Sequence, residues 1–221
     1  MNQFETLLHA QTGVKVIDST TFVSIDLSVS SALLANIDVA DSDKFGDFIN
    51  RYLSENNADA AFGGYNEHRN LYTRSDIFNE EEGDERNIHI GLDLWAAPGT
   101  QIFAALDGKV HSFDYNAGVG NYGPTIILEH QIENEVFYTL YGHLSLESIE
   151  EIEIGDVFNK GQKLATLGDA SVNGDYAPHL HFQLIREIED FFGDYPGVCA
   201  KVDLDFYLQN CPDPNLLLKL K

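Results

Sequence analysis

The sequence predicts a mainly β protein: an antiparallel β-sandwich or barrel-like core preceded by a small α/β subdomain. Three observations lead there. From Asn87 onward the chain breaks into short β-rich segments, each closed by Gly, Pro, Asn or Asp. Before about residue 60, loose apolar alternation is mixed with one helical stripe. Hydrophobic residues make up 43% of 221, enough to bury a substantial core.

Taken in order, "VKVIDSTTFVSIDLS" and "SALLANIDV" alternate weakly and read as strands. "DSDKFGDFINRYLSENNA" reads as a helix, with Asp43 as N-cap and Phe45, Phe48, Ile49 and Leu53 as its apolar stripe. Residues 1–60 form the expected α/β subdomain. Residues 61–190 form the β-core with a polar connector before it, and the acidic run Glu80–Glu85 of that connector reads as a solvated loop. The core strands are "NIHIGLDLW", "TQIFAAL", "GKVHSFDY", "PTIILEH", "EVFYTLYGHL", "QKLATLG" and "HLHFQLI". Residues 191–221 form an extension packed on the core. Its Asp-Pro and Pro-Asp pairs predict an irregular tail.

Composition narrows the function. Thirteen basic residues against 36 acidic ones give a net charge of -23. Such a surface repels nucleic-acid phosphates and anionic lipid, so neither is an expected partner. No apolar run approaches the ~20 residues of a membrane span. The N-terminus shows no basic stretch followed by an apolar one, so a cytoplasmic location is expected, unless a leader has been trimmed. Cys199 and Cys211 are too few for a disulfide framework and read as reduced thiols. Oligomeric state is not readable from these features.

Of eight histidines, any one is most simply a structural or surface residue; constellations carry the information. In "APHLHFQL", His179 and His181 share one strand face while Leu180 and Phe182 point into a core, with the two histidine α-carbons about 6.6 Å apart. In "NIHIGLDLW", Ile88, Ile90, Leu92 and Leu94 form one face, and His89, Gly91, Asp93 and Trp95 the other. His89 and Asp93 stand about 13 Å apart on a straight strand. A bend at Gly91 would close the gap and leave room for an ion above the residue without a side chain. In "FYTLYGHLS", Phe137, Thr139, Tyr141 and His143 alternate onto one side, and His143 can reach a cleft at the sheet's mouth.

Together these offer His89, Asp93 and one of His179 or His181 as three ligands. Two nitrogens and a carboxylate oxygen suit one Zn²⁺ with an open fourth position. An open zinc lowers the pKa of a bound water to about 7 and polarises a carbonyl, which is equipment for amide hydrolysis. The remaining imidazoles could move a proton or steady an oxyanion. No His-Glu-x-x-His is present, so the helix-borne zincin arrangement is excluded.

"HIGLDLWAAPGTQIFAALDGKV", "NYGPTIILEH", "YTLYGHLS", "IGDVFNKGQKLATLG" and "APHLHFQL", in that order, resemble the lysostaphin/LytM-type zinc metalloendopeptidases over about residues 87–186. The resemblance implies an antiparallel β-core with a cleft and one zinc. By position it implies His89, Asp93 and His181 as metal ligands, and His143 and His179 as the catalytic pair beside the metal. The implied substrate is a peptide or a peptidoglycan fragment. "GGYNEHRNLY" is reminiscent of the Phe-Gly-x-Arg stretch that often precedes this core, which makes Arg69 a candidate for a structural or cleft-rim role. "LYTRSDIF", "DYPGV" and "CPDPNLLL" resemble, more loosely, a peptidase-like module carried beside kinase-like and class-III aminotransferase modules in some large proteins.

Two other readings compete. One is a catalytically silent binding or regulatory module on the same fold, which zinc content and a cleavage assay would separate. The other is a histidine phosphocarrier; Asp93 argues against it, because a carboxylate repels an incoming phosphoryl group.

Overall fold

A computed structural model of the protein describes residues 1–69 and 85–221. In chain order its elements are α1 (Gln3–Ala10), β1 (Phe22–Ser24), α2 (Ser42–Asn56), β2 (Ala60–Gly63), β3 (Glu67–His68), β4 (Ile88–His89), β5 (Leu92–Trp95), β6 (Gln101–Phe103) and β7 (Gly108–Asn116). They continue with β8 (Gly123–Ile132), β9 (Glu135–Gly142), β10 (Val157–Phe158), β11 (Lys163–Thr166), β12 (His179–Ile185), β13 (Val198–Cys199), α3 (Leu204–Asn210) and α4 (Asn215–Leu218). Each of the core segments predicted as a strand contains one. Of the acidic run, all but Glu85 lies outside the described residues; Glu85 is exposed.

Among the described residues, one large sheet runs in the order β1-β2-β5-β12-β9-β8-β7-β10, with β6 and β11 paired separately and β13-β4-β3 forming a third, small sheet. Every pairing but β1 with β2 is antiparallel. Strand alternation sorts the side chains onto two faces. Leu92, Leu94, Ile126, Leu128, Leu180, Phe182 and Leu184 enter the main core, where Ile102, Leu164 and Ala165 of the β6/β11 pair cover them. Ile127, Leu140 and Ile185 face the other way, onto Tyr195, Cys199 and Cys211 of the C-terminal extension.

Residues 1–60 share this architecture. β1 lies parallel to β2, which pairs with β5 in the large sheet. Helix α1, not foreseen in the sequence, starts with a reciprocal cap between Asn2 and Glu5 and buries Phe4 and Leu8 in the main core. In α2 the predicted stripe holds: Phe45, Phe48 and Ile49 are buried against Ala61 and Trp95. Its cap is Asp41 rather than Asp43. Asp41 keeps an extended backbone and accepts from the Lys44 N–H at 3.0 Å, while Asp43 sits inside the first turn, where its charge suits the helix dipole.

The tail is helical rather than irregular. Pro214 stands at the start of α4, where a missing N–H costs nothing, and Leu217 and Leu218 are buried. α4 rests against α1, and Lys219 Nζ donates to the Gln11 carbonyl at 2.6 Å. No helix among the described residues is long and apolar enough to cross a membrane.

Candidate active site

The large sheet delivers the site by placing β12 between β5 and β9. His181 lies opposite Asp93 on one side and Gly142 on the other, and His179 lies opposite Trp95. His179, His181 and Gln183 occupy the face opposite Leu180, Phe182 and Leu184, as period-2 alternation demands. The His179 ring stacks on Trp95 with centroids 5.6 Å apart.

His89 arrives by a break in its strand. "NIHIGLDLW" is two strands, not one: β4 belongs to the small sheet and β5 to the large one. The expected single apolar face is accordingly split. Ile88 and Ile90 pack with the C-terminal extension, and Leu92 and Leu94 with the main core. The kink between them brings His89 Nε2 to 3.3 Å from Asp93 Oδ1. The space above Gly91 is not left for an ion. A β-carbon there would stand 2.4 Å from His181 Cε1, so the glycine makes room for the His181 ring.

His143 departs from the predicted alternation. Tyr141 and Phe137 point into the main core, and an extended His143 would follow them. Instead its φ is +62°, a left-handed conformation that swings the imidazole to the opposite face. Such a residue costs about 1–3 kcal/mol and needs its surroundings to hold it. Its N–H donates to the Tyr122 carbonyl at 2.8 Å, and its carbonyl accepts from Gly168 at 3.0 Å. The rings of His143 and His179 then lie 4.2 Å apart.

The structure thus brings together all five predicted residues, each buried. His89, Asp93 and His181 offer three donor atoms that face one another. His89 Nε2 and His181 Nδ1 are 2.9 Å apart, and Asp93 Oδ1 is 3.2 Å from His181 Nδ1. Tetrahedral donors held at about 2.0–2.1 Å from a zinc ion stand roughly 3.3–3.4 Å from one another, so the triangle is the right size for that ion. His89 Nδ1 donates to the Gly64 carbonyl at 2.9 Å, which leaves Nε2 without a proton toward the other two donors. His143 and His179 follow the same pattern. Each Nδ1–H donates to a backbone carbonyl, of Asn173 at 2.8 Å and of Ala177 at 2.7 Å, and leaves Nε2 as the acceptor. His179 Nε2 lies 3.8 Å from Asp93 Oδ1.

Charge states suit a cation. Burial pushes the His89 pKa down to about 4, holds that of His143 well below the ordinary 6.5 and lowers that of His179, so all three are neutral near pH 7. For Asp93, burial alone would raise the pKa. In the acidic range where a carboxyl titrates, the charged His89 imidazolium and the guanidinium of Arg69 outweigh it and hold the carboxyl well below its usual range. Arg69 Nη1 is 2.5 Å from Asp93 Oδ2, and Arg69 Nε is 2.5 Å from Glu67. The guanidinium lies over Trp95 at 5.6 Å. Arg69 is a buried structural partner of Asp93.

These groups line a cleft of about 230 Å³, walled by Tyr122, Tyr176, Phe191 and Tyr195. Arg86 also lines it, donating from Nε and Nη2 to the Val198 carbonyl at 3.3 and 3.2 Å. Sequence reasoning missed Tyr122, whose ring centroid is 5.0 Å from that of His181. It also missed Gln183, although its spacing two residues beyond His181 places it on the site's face.

Residues 87–191 match the model of Peptidase family M23. The peptidoglycan DD-endopeptidase ShyC of Vibrio cholerae is 35% identical over 98 residues, which is 44% of this chain and 20% of that protein. The match therefore spans about a fifth of that relative's length. A zinc-containing peptidase from Vibrio cholerae aligns at 27% identity with a TM-score of 0.36, covering 48% of this chain and 30% of that one. The catalytic domain of lysostaphin from Staphylococcus simulans aligns at 23% identity with a TM-score of 0.38, covering 64% and 98%. The family match bears out the lysostaphin/LytM-type resemblance for the stretch in which it was seen.

Proposed function

With residues 87–191 matching peptidase family M23, we propose that this chain is a zinc-dependent metalloendopeptidase acting on peptide amide bonds, with peptidoglycan-type peptides as its substrates. The observation that supports it is the convergence of His89 Nε2, Asp93 Oδ1 and His181 Nδ1 from three strands, all within 3.3 Å of one another, beside two further buried imidazoles. These three residues would hold one Zn²⁺. When bound, it supplies Lewis acidity toward a water molecule and a scissile carbonyl.

The chain's own residues handle protons and charge. His143 and His179 are pinned through Nδ1 and present Nε2 as an acceptor. Burial keeps both neutral, so each is ready to take a proton at that atom and, once charged, to return it to a leaving amine or face an oxyanion. Arg69 keeps Asp93 ionised and fixed in place. The aromatic walls of the cleft bind the peptide and limit water around the reacting bond.

The test is metal analysis of the purified protein, followed by incubation with peptidoglycan fragments and with glycine- and D-amino-acid-containing peptides, products being read by mass spectrometry. One zinc per chain is expected, with cleavage that is lost on chelation and in His143→Ala. Stoichiometric zinc without cleavage of any probe would favour the silent binding module. Absence of zinc binding would end the metallopeptidase reading.

A further inference from the structure

Gln183 lies two residues beyond His181 on the same face of β12 and has no solvent exposure. A buried amide must place one acceptor oxygen and two N–H donors. Its nitrogen lies 3.0 Å from the Pro196 carbonyl and 3.3 Å from Cys211 Sγ, and its Oε1 lies 2.8 Å from His181 Nε2. The Pro196 carbonyl can only accept, which fixes the amide's orientation. The oxygen that faces His181 must then receive its Nε2–H, which in the neutral ring leaves Nδ1 bare toward His89 and Asp93.

Pro196 and Cys211 belong to the C-terminal extension, beyond the residues that match the family. The same extension lays β13 beside β4, with Val198 opposite His89, and the Gly197 carbonyl accepts from the Ile90 N–H at 3.0 Å. Both imidazoles of the triad are therefore supported from a segment that contributes no ligand.

We infer that Gln183 is a positioning residue of the metal centre, anchored by Pro196 and Cys211, that sets the tautomer of His181 and so selects Nδ1 as its metal-facing atom. This rests on the zinc reading above, but its readout is metal affinity and proton position rather than hydrolysis. A partner that fixes the tautomer of a ligand histidine typically affects metal affinity 10–100-fold.

The experiment combines chelator-competition measurements of zinc affinity for the wild-type chain, Gln183→Met and Gln183→Glu with ¹⁵N NMR of the His181 ring in the wild type. The wild type is expected to carry the His181 proton on Nε2. Gln183→Met is expected to bind zinc about 10–100-fold more weakly. Gln183→Glu still offers an oxygen to Nε2–H and is expected to bind within several-fold of wild type, although it buries a charge. A packing role predicts the reverse order, with Met close to wild type and Glu worst. That order, or a His181 whose Nε2 lacks the proton, overturns the inference. If Gln183→Glu does not fold, the wild-type tautomer and the Gln183→Met affinity decide it. If the wild type binds no zinc, the zinc reading fails, while the proton position in the metal-free protein still tests the Gln183 contact.

Discussion

Arg69 Nη1 lies 2.5 Å from Asp93 Oδ2, and the two side chains are 1% and 2% exposed. The other oxygen of Asp93 faces His89 and His181, so one carboxylate joins a structural ion pair to the candidate metal triad. Removing one partner of a buried pair strands the other charge and costs about 3–5 kcal/mol. Arg69→Met is expected to lose that much stability in urea unfolding of the metal-free protein. Added zinc should restore part of it, since a cation on Oδ1 compensates the same carboxylate.

The roles of the histidines separate in metal content. Asp93→Ala and His181→Ala are expected to lose both zinc and peptide cleavage. His143→Ala and His179→Ala are expected to keep most of the zinc and lose about 10²–10⁴-fold in turnover, the usual range for a positioned acid or base. Metal analysis and cleavage rates on the same preparations check this; full turnover in His143→Ala would refute its role.

Gly91 is predicted to be intolerant of any side chain. The β-carbon of Gly91→Ala would stand 2.4 Å from His181 Cε1, and the ring must move. Strand β12 is held by neighbours on both sides, so the displacement falls on the imidazole and its donor atom. Weaker zinc binding is expected with little change in the overall circular dichroism.

Away from the site, His130 is predicted to make stability pH-dependent. Burial pushes its pKa from the ordinary 6.5 to about 4. Its Nδ1–H donates to the Asp107 carbonyl at 2.9 Å, and its bare Nε2 accepts from Thr139 Oγ1 at 2.6 Å, so the neutral ring is fully bonded. As pH falls, the unfolded chain takes up this proton first. The contribution is therefore complete above about pH 6.5 and is lost on acidification toward about pH 4, by about 3 kcal/mol in total. Denaturant unfolding of wild type and His130→Gln at several pH values should show a shallower decline in the variant over that window.

The shared face of His179 and His181, the burial of Leu180 and Phe182, and the stripe of α2 were all legible from residue spacing. Each depends on a backbone period that neighbouring residues impose on one another. The positions of Asp41 and Glu5 at helix starts are equally local, and a stricter reading of capping would have found both. Asp93 and the histidines could be named as candidates because ligand chemistry restricts the residue types.

Convergence is a different matter. Gly91 permits a bend in "NIHIGLDLW", but nothing local divides the segment between two sheets, because that division arises when Ile88 and Ile90 pack with the extension while Leu92 and Leu94 pack with the main core. His143 leaves its expected face because hydrogen bonds to Tyr122 and Gly168, distant in sequence, hold a left-handed backbone. Arg69 reaches Asp93, and Pro196 and Cys211 reach Gln183, across separations of 24, 13 and 28 residues. Side-chain type and face are set over a few residues of chain. Which donor atoms meet is set by how sheets stack and where strands bend, and those are properties of the whole buried core.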